Sequence, residues 1–171
     1  MIFLTMSNEL TTPKRLFCPA EYETAYRQAA TTFAGTLPPG TNGVPYTNDL
    51  NCSYFIGVDV SELRPRMFLA GDHNLGGNAS PPTTPFLSAP STGSAFWSLG
   101  NSFTPNQGPA WTVAMHSEKG TVLLADGSVE WFTRSSLQTA LKNTGDSGRT
   151  AGPFAMALGA SGTGLNRIQL P

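Results

Sequence analysis

Residues 115–133 read MHSEKGTVLLADGSVEWFT and predict a β-hairpin. Residues 121–125 and 128–133 are both strand-like, and Asp126-Gly127 between them provides the positive backbone angles of a tight turn. Upstream, residues 51–60 alternate in polarity, and residues 67–71 form a second apolar run. Because only a short polar connection separates these two runs, we expect them to form another antiparallel pair.

Helical signals are few and short. Ser135-Ser136-Leu137-Gln138 resembles a capping box that starts a helix, and Thr144-Gly145 would end it. Residues 1–10 are predicted as the end of a helix, and residues 166–171 as an edge strand. We therefore expect one α+β domain over residues 1–171. It would be an antiparallel β-meander with one or two short helices and long irregular loops.

Composition excludes several classes of protein. Charged residues make up 12% of the chain, and 18 Gly with 14 Pro disfavour a mainly helical fold. The net charge is −1 and the ten Lys and Arg residues are scattered, which argues against nucleic acid or anionic lipid as a partner. Residues 73–117 carry no Asp, Glu, Lys or Arg, so we predict a long neutral loop excursion over residues 73–110.

The two cysteines leave two alternatives open. Cys18 and Cys52 could form a disulfide if the chain is exported, or could be reduced and buried. Together with His73 and His116 they make no recognisable zinc pattern, and we expect no metal. We also expect no secretory signal or membrane-spanning segment in these 171 residues.

Nine residues separate His116 from Asp126-Gly127, and the segment runs through Gly120 into Asp-Gly-Ser-Val. This resembles the H-x9-DG segment of the prepilin-type, processing-associated proteins abundant in Planctomycetes and Verrucomicrobia. Further stretches resemble the same family: residues 6–10, 13–14, 18–19, 53–57, 71–74 and 166–167. The resemblance implies a pseudopilin-like protein of the type II secretion or type IV pilin kind.

Such a protein anchors by an apolar N-terminal helix and carries a β-rich head outside the membrane. This chain opens where the end of that stem helix would be, with residues 1–10. We therefore expect a head without its stem, so that a membrane contact would need a helix absent from this chain. The resemblance places it in the periplasm, the cell envelope or the extracellular space, with other pseudopilin-like subunits or envelope components as partners.

The candidate site residues are interpreted as mainly structural. His116 and Asp126 lie at opposite ends of one strand, about 15 Å apart, so we expect no catalytic pair. Asp72, His73 and Asn74 could line a polar pocket or hold calcium, but ordinary turn chemistry is the favoured alternative, and no cofactor is expected. His116, Gly120, Asp126 and Gly127 are the motif positions.

No nucleophile elbow occurs in the sequence, so we expect no enzyme. The function predicted is that of a non-enzymatic head acting in assembly or display at the cell envelope. The alternative is a secreted or periplasmic module that binds glycan. In that case Trp97, Trp111 and Trp131 would stack on sugar, although tryptophans are more often buried under or within sheets.

Overall fold

The computed structural model describes residues 2–23, 27–47, 49–76, 95–101, 108–113, 115–144, 155–158 and 166–171. Two compact units make up the chain, Met1–Tyr54 with Pro171 and Phe55–Leu170. Most of the predicted neutral excursion, residues 77–94 and 102–107, lies outside the described residues. A single head domain over residues 1–171 stays a prediction.

The first unit is built from short helical turns and irregular chain. Among its described residues, four 3-10 helices span Ile2–Met6, Pro13–Leu16, Pro19–Glu23 and Asp49–Asn51, and helix α1 spans Ser7–Leu10. A small core joins Leu16, Ala30, Tyr46 and Cys52. Residues 2–10 of the predicted helix end are therefore helical, and Thr11 ends this segment with a φ of 60°.

From residue 54 onward, the described part of the chain contains seven strands of one sheet. They are β1 (Tyr54–Gly57), β2 (Phe68–Asp72), β4 (Ala95–Ser98), β6 (Gly120–Leu124), β7 (Val129–Phe132), β8 (Ala155–Leu158) and β9 (Arg167–Gln169), in the spatial order β7-β6-β2-β1-β9-β4-β8. Strands β3 (Leu75–Gly76) and β5 (Ala110–Trp111) form a separate antiparallel pair. The α+β class with an antiparallel sheet is confirmed.

The order within the sheet differs from a simple meander. Among the described strands, only β1–β2 and β6–β7 are neighbours both along the chain and in the sheet, because the C-terminal β9 inserts between β1 and β4. The prediction that residues 166–171 form an edge strand is therefore wrong. Ile168 of β9 is opposite Gly57 on one side and Trp97 on the other, and burial of Ile168 explains the interior position.

The predicted hairpin is confirmed, with a different use of its turn residues. Gly120–Phe132 and Leu123–Val129 are the outer and inner pairs of the β6–β7 ladder. Gly127 has a φ of 82°, and the non-glycine residues at positive φ do not include Asp126. Asp-Gly thus supplies one left-handed residue, as in a type I turn with a glycine bulge.

Helix α2 (Arg134–Asn143) follows the hairpin and covers the sheet. Its buried Leu137 and Leu141 join Phe55, Val122 and Ile168 in the main core. The cap lies two residues earlier than predicted: the Thr133 hydroxyl accepts from the Ser136 backbone, and Ser136 Oγ accepts from Thr133 N at 2.8 Å. Threonine and serine serve here because short hydroxyl side chains reach back to unpaired N–H groups.

Candidate functional site

The region around the H-x9-DG motif, residues 116–127, has two ends. The histidine end comprises His116 and Gly120 with their neighbours Asp72 and Trp111. The aspartate–glycine end comprises Asp126, Gly127 and Ser128. Strand β6 runs from one end to the other.

At the histidine end, the imidazole faces a carboxylate of β2. His116 Nε2 lies 3.9 Å from Asp72 Oδ2, with 28% of the His116 side chain exposed and 5% of that of Asp72. The same Asp72 oxygen accepts from Thr121 N at 2.8 Å. Asp72 is therefore fixed at the start of β6. It connects residues 71–74, to which it belongs, with His116, which lies 44 positions further along the chain.

Gly120 is required by the tryptophan packed against it. A Cβ on Gly120 would lie 1.9 Å from Trp111 Cε2, far inside a van der Waals contact. The Trp111 ring is fully buried, and its Nε1 donates to the Asp72 carbonyl at 3.1 Å. For Trp111 the favoured alternative, burial, applies: this ring fills the core and cannot stack on sugar.

The backbone before Gly120 has an unusual conformation. His116, Ser117 and Glu118 all have positive φ, at 51°, 52° and 65°. Three consecutive non-glycine residues in the left-handed region are costly, at about 1–2 kcal/mol each. We call residues 116–119 the left-handed turn; Lys119 N closes it by donating to the His116 carbonyl at 3.3 Å.

The aspartate–glycine end is local and exposed. Asp126 Oδ1 accepts from Ser128 Oγ at 2.6 Å and from Ser128 N at 2.9 Å. The hydrogen bond from the Ser128 hydroxyl, followed by that from the Ser128 backbone, holds the pKa of Asp126 below its ordinary value. The carboxylate near His116 is that of Asp72, so the structure gives Asp126 a turn-shaping task.

The other predicted site residues are distributed rather than joined. Asp72 belongs to the histidine end, while His73 and Asn74 are buried after β2. The side-chain atoms Nδ2 and Oδ1 of Asn74 are buried and have no hydrogen-bond partner among the described residues. Within the same described ranges, no three His, Cys, Asp or Glu side chains converge as metal ligands.

Cys18 and Cys52 are reduced, buried thiols in the structure. Around them lies a polar cluster that the sequence did not reveal. Ser53 Oγ accepts from Cys18 N at 2.7 Å and donates to Glu21, and Glu21 faces Arg27 at 3.5 Å. Since Glu21 is 2% exposed, these contacts compensate a buried carboxylate.

The closing pair of the chain is likewise engaged in the fold. Asn166 Nδ2 donates to the carbonyls of Gly100 and Leu141, at 2.9 and 3.0 Å. Arg167 Nε donates to both carboxylate oxygens of Asp59, at 3.0 and 2.8 Å. The partner Asp59 could not be found from the sequence, because the two residues lie 108 positions apart.

The tryptophans have three different environments. Trp111 is buried, Trp97 is partly buried against the main core, and Trp131 on β7 is 65% exposed. The Trp131 ring lies 6.4 Å from the His116 ring, centroid to centroid.

None of the described helices is long and apolar enough to cross a membrane. Comparison with protein-family models, curated proteins and solved structures found no match for the chain.

Proposed function

We propose that this chain is a non-enzymatic, pseudopilin-like head that acts in assembly or display at the cell envelope. The proposal is supported by the structural role of each motif residue. Asp72 and His116 face each other, Gly120 admits Trp111, and Asp126 shapes a turn with Ser128. These contacts give each motif residue a task in holding the fold.

A surface for assembly lies on the outer side of the same hairpin. Val129 and Trp131 are 63% and 65% exposed, and their spacing of two puts them on one face of β7. We call these two residues the exposed strip. Apolar side chains exposed together favour contact with a partner over contact with water.

The position of β7 strengthens this assignment. It is the terminal strand in the order of the described sheet. Edge strands offer backbone groups for pairing with another chain. We therefore place the contact with other pseudopilin-like subunits or envelope components on the exposed strip and the edge beside it.

The test is photo-crosslinking in the cells that make this protein. A benzophenone amino acid at position 131 should give adducts with pilin-like subunits in the envelope fraction, identified by mass spectrometry. The matched control is position 63, since Leu63 is also apolar, is 92% exposed and is not part of strand β7. Equal adducts at both positions, or recovery of the protein in the cytosol, would contradict the proposal.

One observation favours a second function, binding of glycan. The Trp131 ring is exposed beside His116, and an exposed indole can stack on a sugar ring. Trp131→Leu separates the two functions, because leucine keeps apolar area and removes the indole. Assembly should survive that substitution, whereas binding on a glycan array should be lost.

A further inference from the structure

A cleft of about 560 Å³, lined by polar and charged residues, lies between the left-handed turn and one face of α2. This volume falls within the roughly 300–1,000 Å³ of small-molecule sites. Glu118 and Lys119 line it on the turn side, and Ser135, Thr139 and Lys142 line it on the helix side. The three helix residues share one face, because they are spaced by four and three positions.

Positive charge is concentrated at this cleft. Lys119, Arg134 and Lys142 all line it, which is three of the ten Lys and Arg residues in the chain. Among the described residues that line it, Glu118 is the one carboxylate. The formal charge of the described wall is thus +2, in a protein whose net charge is −1.

The cations are also spread along the cleft. Arg134 and Lys142 lie in the first and last turns of α2, about 12 Å apart along the helix axis. Lys119 faces them from the turn. A ligand matched to this arrangement carries more than one anionic group, separated by several bonds.

Hydrogen-bonding groups complete the wall. Ser135 and Thr139 contribute hydroxyl groups, and Gln138, which is 8% exposed, is fixed by donating from Nε2 to the Pro109 carbonyl at 3.4 Å. The N-terminus of α2 is already capped by Thr133 and Ser136, so the side chains, and not the helix end, supply the positive charge of the cleft.

We propose that this cleft binds a small organic anion with two or more negative groups, of the phosphate-ester or carboxylate kind. This ligand site is independent of the assembly surface proposed above. Its affinity should fall with ionic strength, because exposed charges are screened by salt.

The experiment is an NMR titration of the chain at low ionic strength with three probes: fructose 1,6-bisphosphate, citrate and neutral fructose. Either anion should shift the amides of residues 117–119 and 134–142, and fructose should not. Tighter binding of the bisphosphate identifies phosphate esters, and tighter binding of citrate identifies carboxylates.

Charge variants test the site itself. Lys119→Gln, Arg134→Gln and Lys142→Gln should each weaken binding about fivefold, while Glu118→Gln should tighten it about twofold or more. Lys14→Gln is the matched control, because Lys14 is exposed and lies outside the cleft. The proposal is overturned if neither anion shifts these amides, if Lys14→Gln weakens binding as much as the cleft variants, or if Glu118→Gln weakens it. Unchanged amide spectra of the free variants confirm that each is folded.

Discussion

The two glycines of the H-x9-DG motif serve opposite needs. Gly120 needs space, because Trp111 occupies the position where a Cβ would be. Gly127 needs a backbone angle, because its φ is 82° while the space around it is open. The histidine end of the motif is thus defined by tertiary contacts, and the aspartate–glycine end by the local chain.

This difference explains what the sequence could predict. The Asp126-Gly127 turn was predictable because its preference is carried by the two residues themselves. The contact of His116 with Asp72 depends on β2, 44 positions earlier in the chain, and that of Gly120 with Trp111 depends on β5, which lies outside the hairpin. No local pattern contains such pairings.

The helix and the strand order follow the same division. Helix α2 was predictable from its cap and apolar spacing, although the sequence offered several hydroxyl residues and the cap is Thr133. The insertion of β9 between β1 and β4 was not predictable, because the three residues Arg167–Gln169 carry no information about their neighbours. The cleft could not be predicted from the sequence either, because Lys119 and Lys142 line it together only through the packing of α2 beside the turn.

The largest expected effect is at the histidine end. Gly120→Ala should lower the free energy of unfolding by about 3 kcal/mol, because the new methyl group overlaps a fully buried ring. Urea denaturation measures the loss. Gly35→Ala is the control, since a Cβ there has open space. A Gly120→Ala protein as stable as Gly35→Ala would break the comparison.

The second-largest expected loss of stability is at Gly127. Gly127→Ala should cost about 1 kcal/mol, because alanine disfavours the left-handed region although nothing obstructs its Cβ. Gly127→Asn should cost less, since asparagine tolerates this region. Equal losses for alanine and asparagine in urea denaturation would show that the backbone angle is not the cause.

A substitution in the left-handed turn should change the stability by a smaller amount and should increase it. Glu118→Gly should raise the free energy of unfolding by about 0.5–1 kcal/mol, because glycine accepts the φ of 65° without a Cβ penalty. Glu62→Gly is the control, since Glu62 is not among the described residues with positive φ. If both substitutions lower the thermal midpoint equally, the strain assigned to this turn is absent.

The smallest effect concerns pH at the exposed end. The pKa of Asp126 is lowered from 3.8, so its ionised form is favoured in the folded protein. Its stabilising contribution is present above the ordinary carboxyl pKa and disappears as the pH falls through the lowered value. The difference in thermal midpoint between wild type and Asp126→Asn should therefore shrink on acidification below about pH 4.

Ser128→Ala provides the matched control for this titration. It removes the hydroxyl that is the main cause of the lowered pKa, so Asp126 should titrate closer to its ordinary value in this variant. Carboxyl NMR measures both midpoints. An unchanged midpoint in Ser128→Ala would mean that another group holds the charge.

The contrast between the two ends is tested most directly by truncating their two carboxylates in parallel. Asp72→Ala removes the acceptor of Thr121 N–H and the partner of His116, and should lower the free energy of unfolding by about 2–3 kcal/mol. Asp126→Ala removes exposed contacts within one turn and should lower the free energy of unfolding much less than Asp72→Ala does. The measurement is equilibrium unfolding of both variants beside wild type. A larger loss for Asp72→Ala is predicted, and an equal or larger loss for Asp126→Ala would contradict a motif anchored at its histidine end.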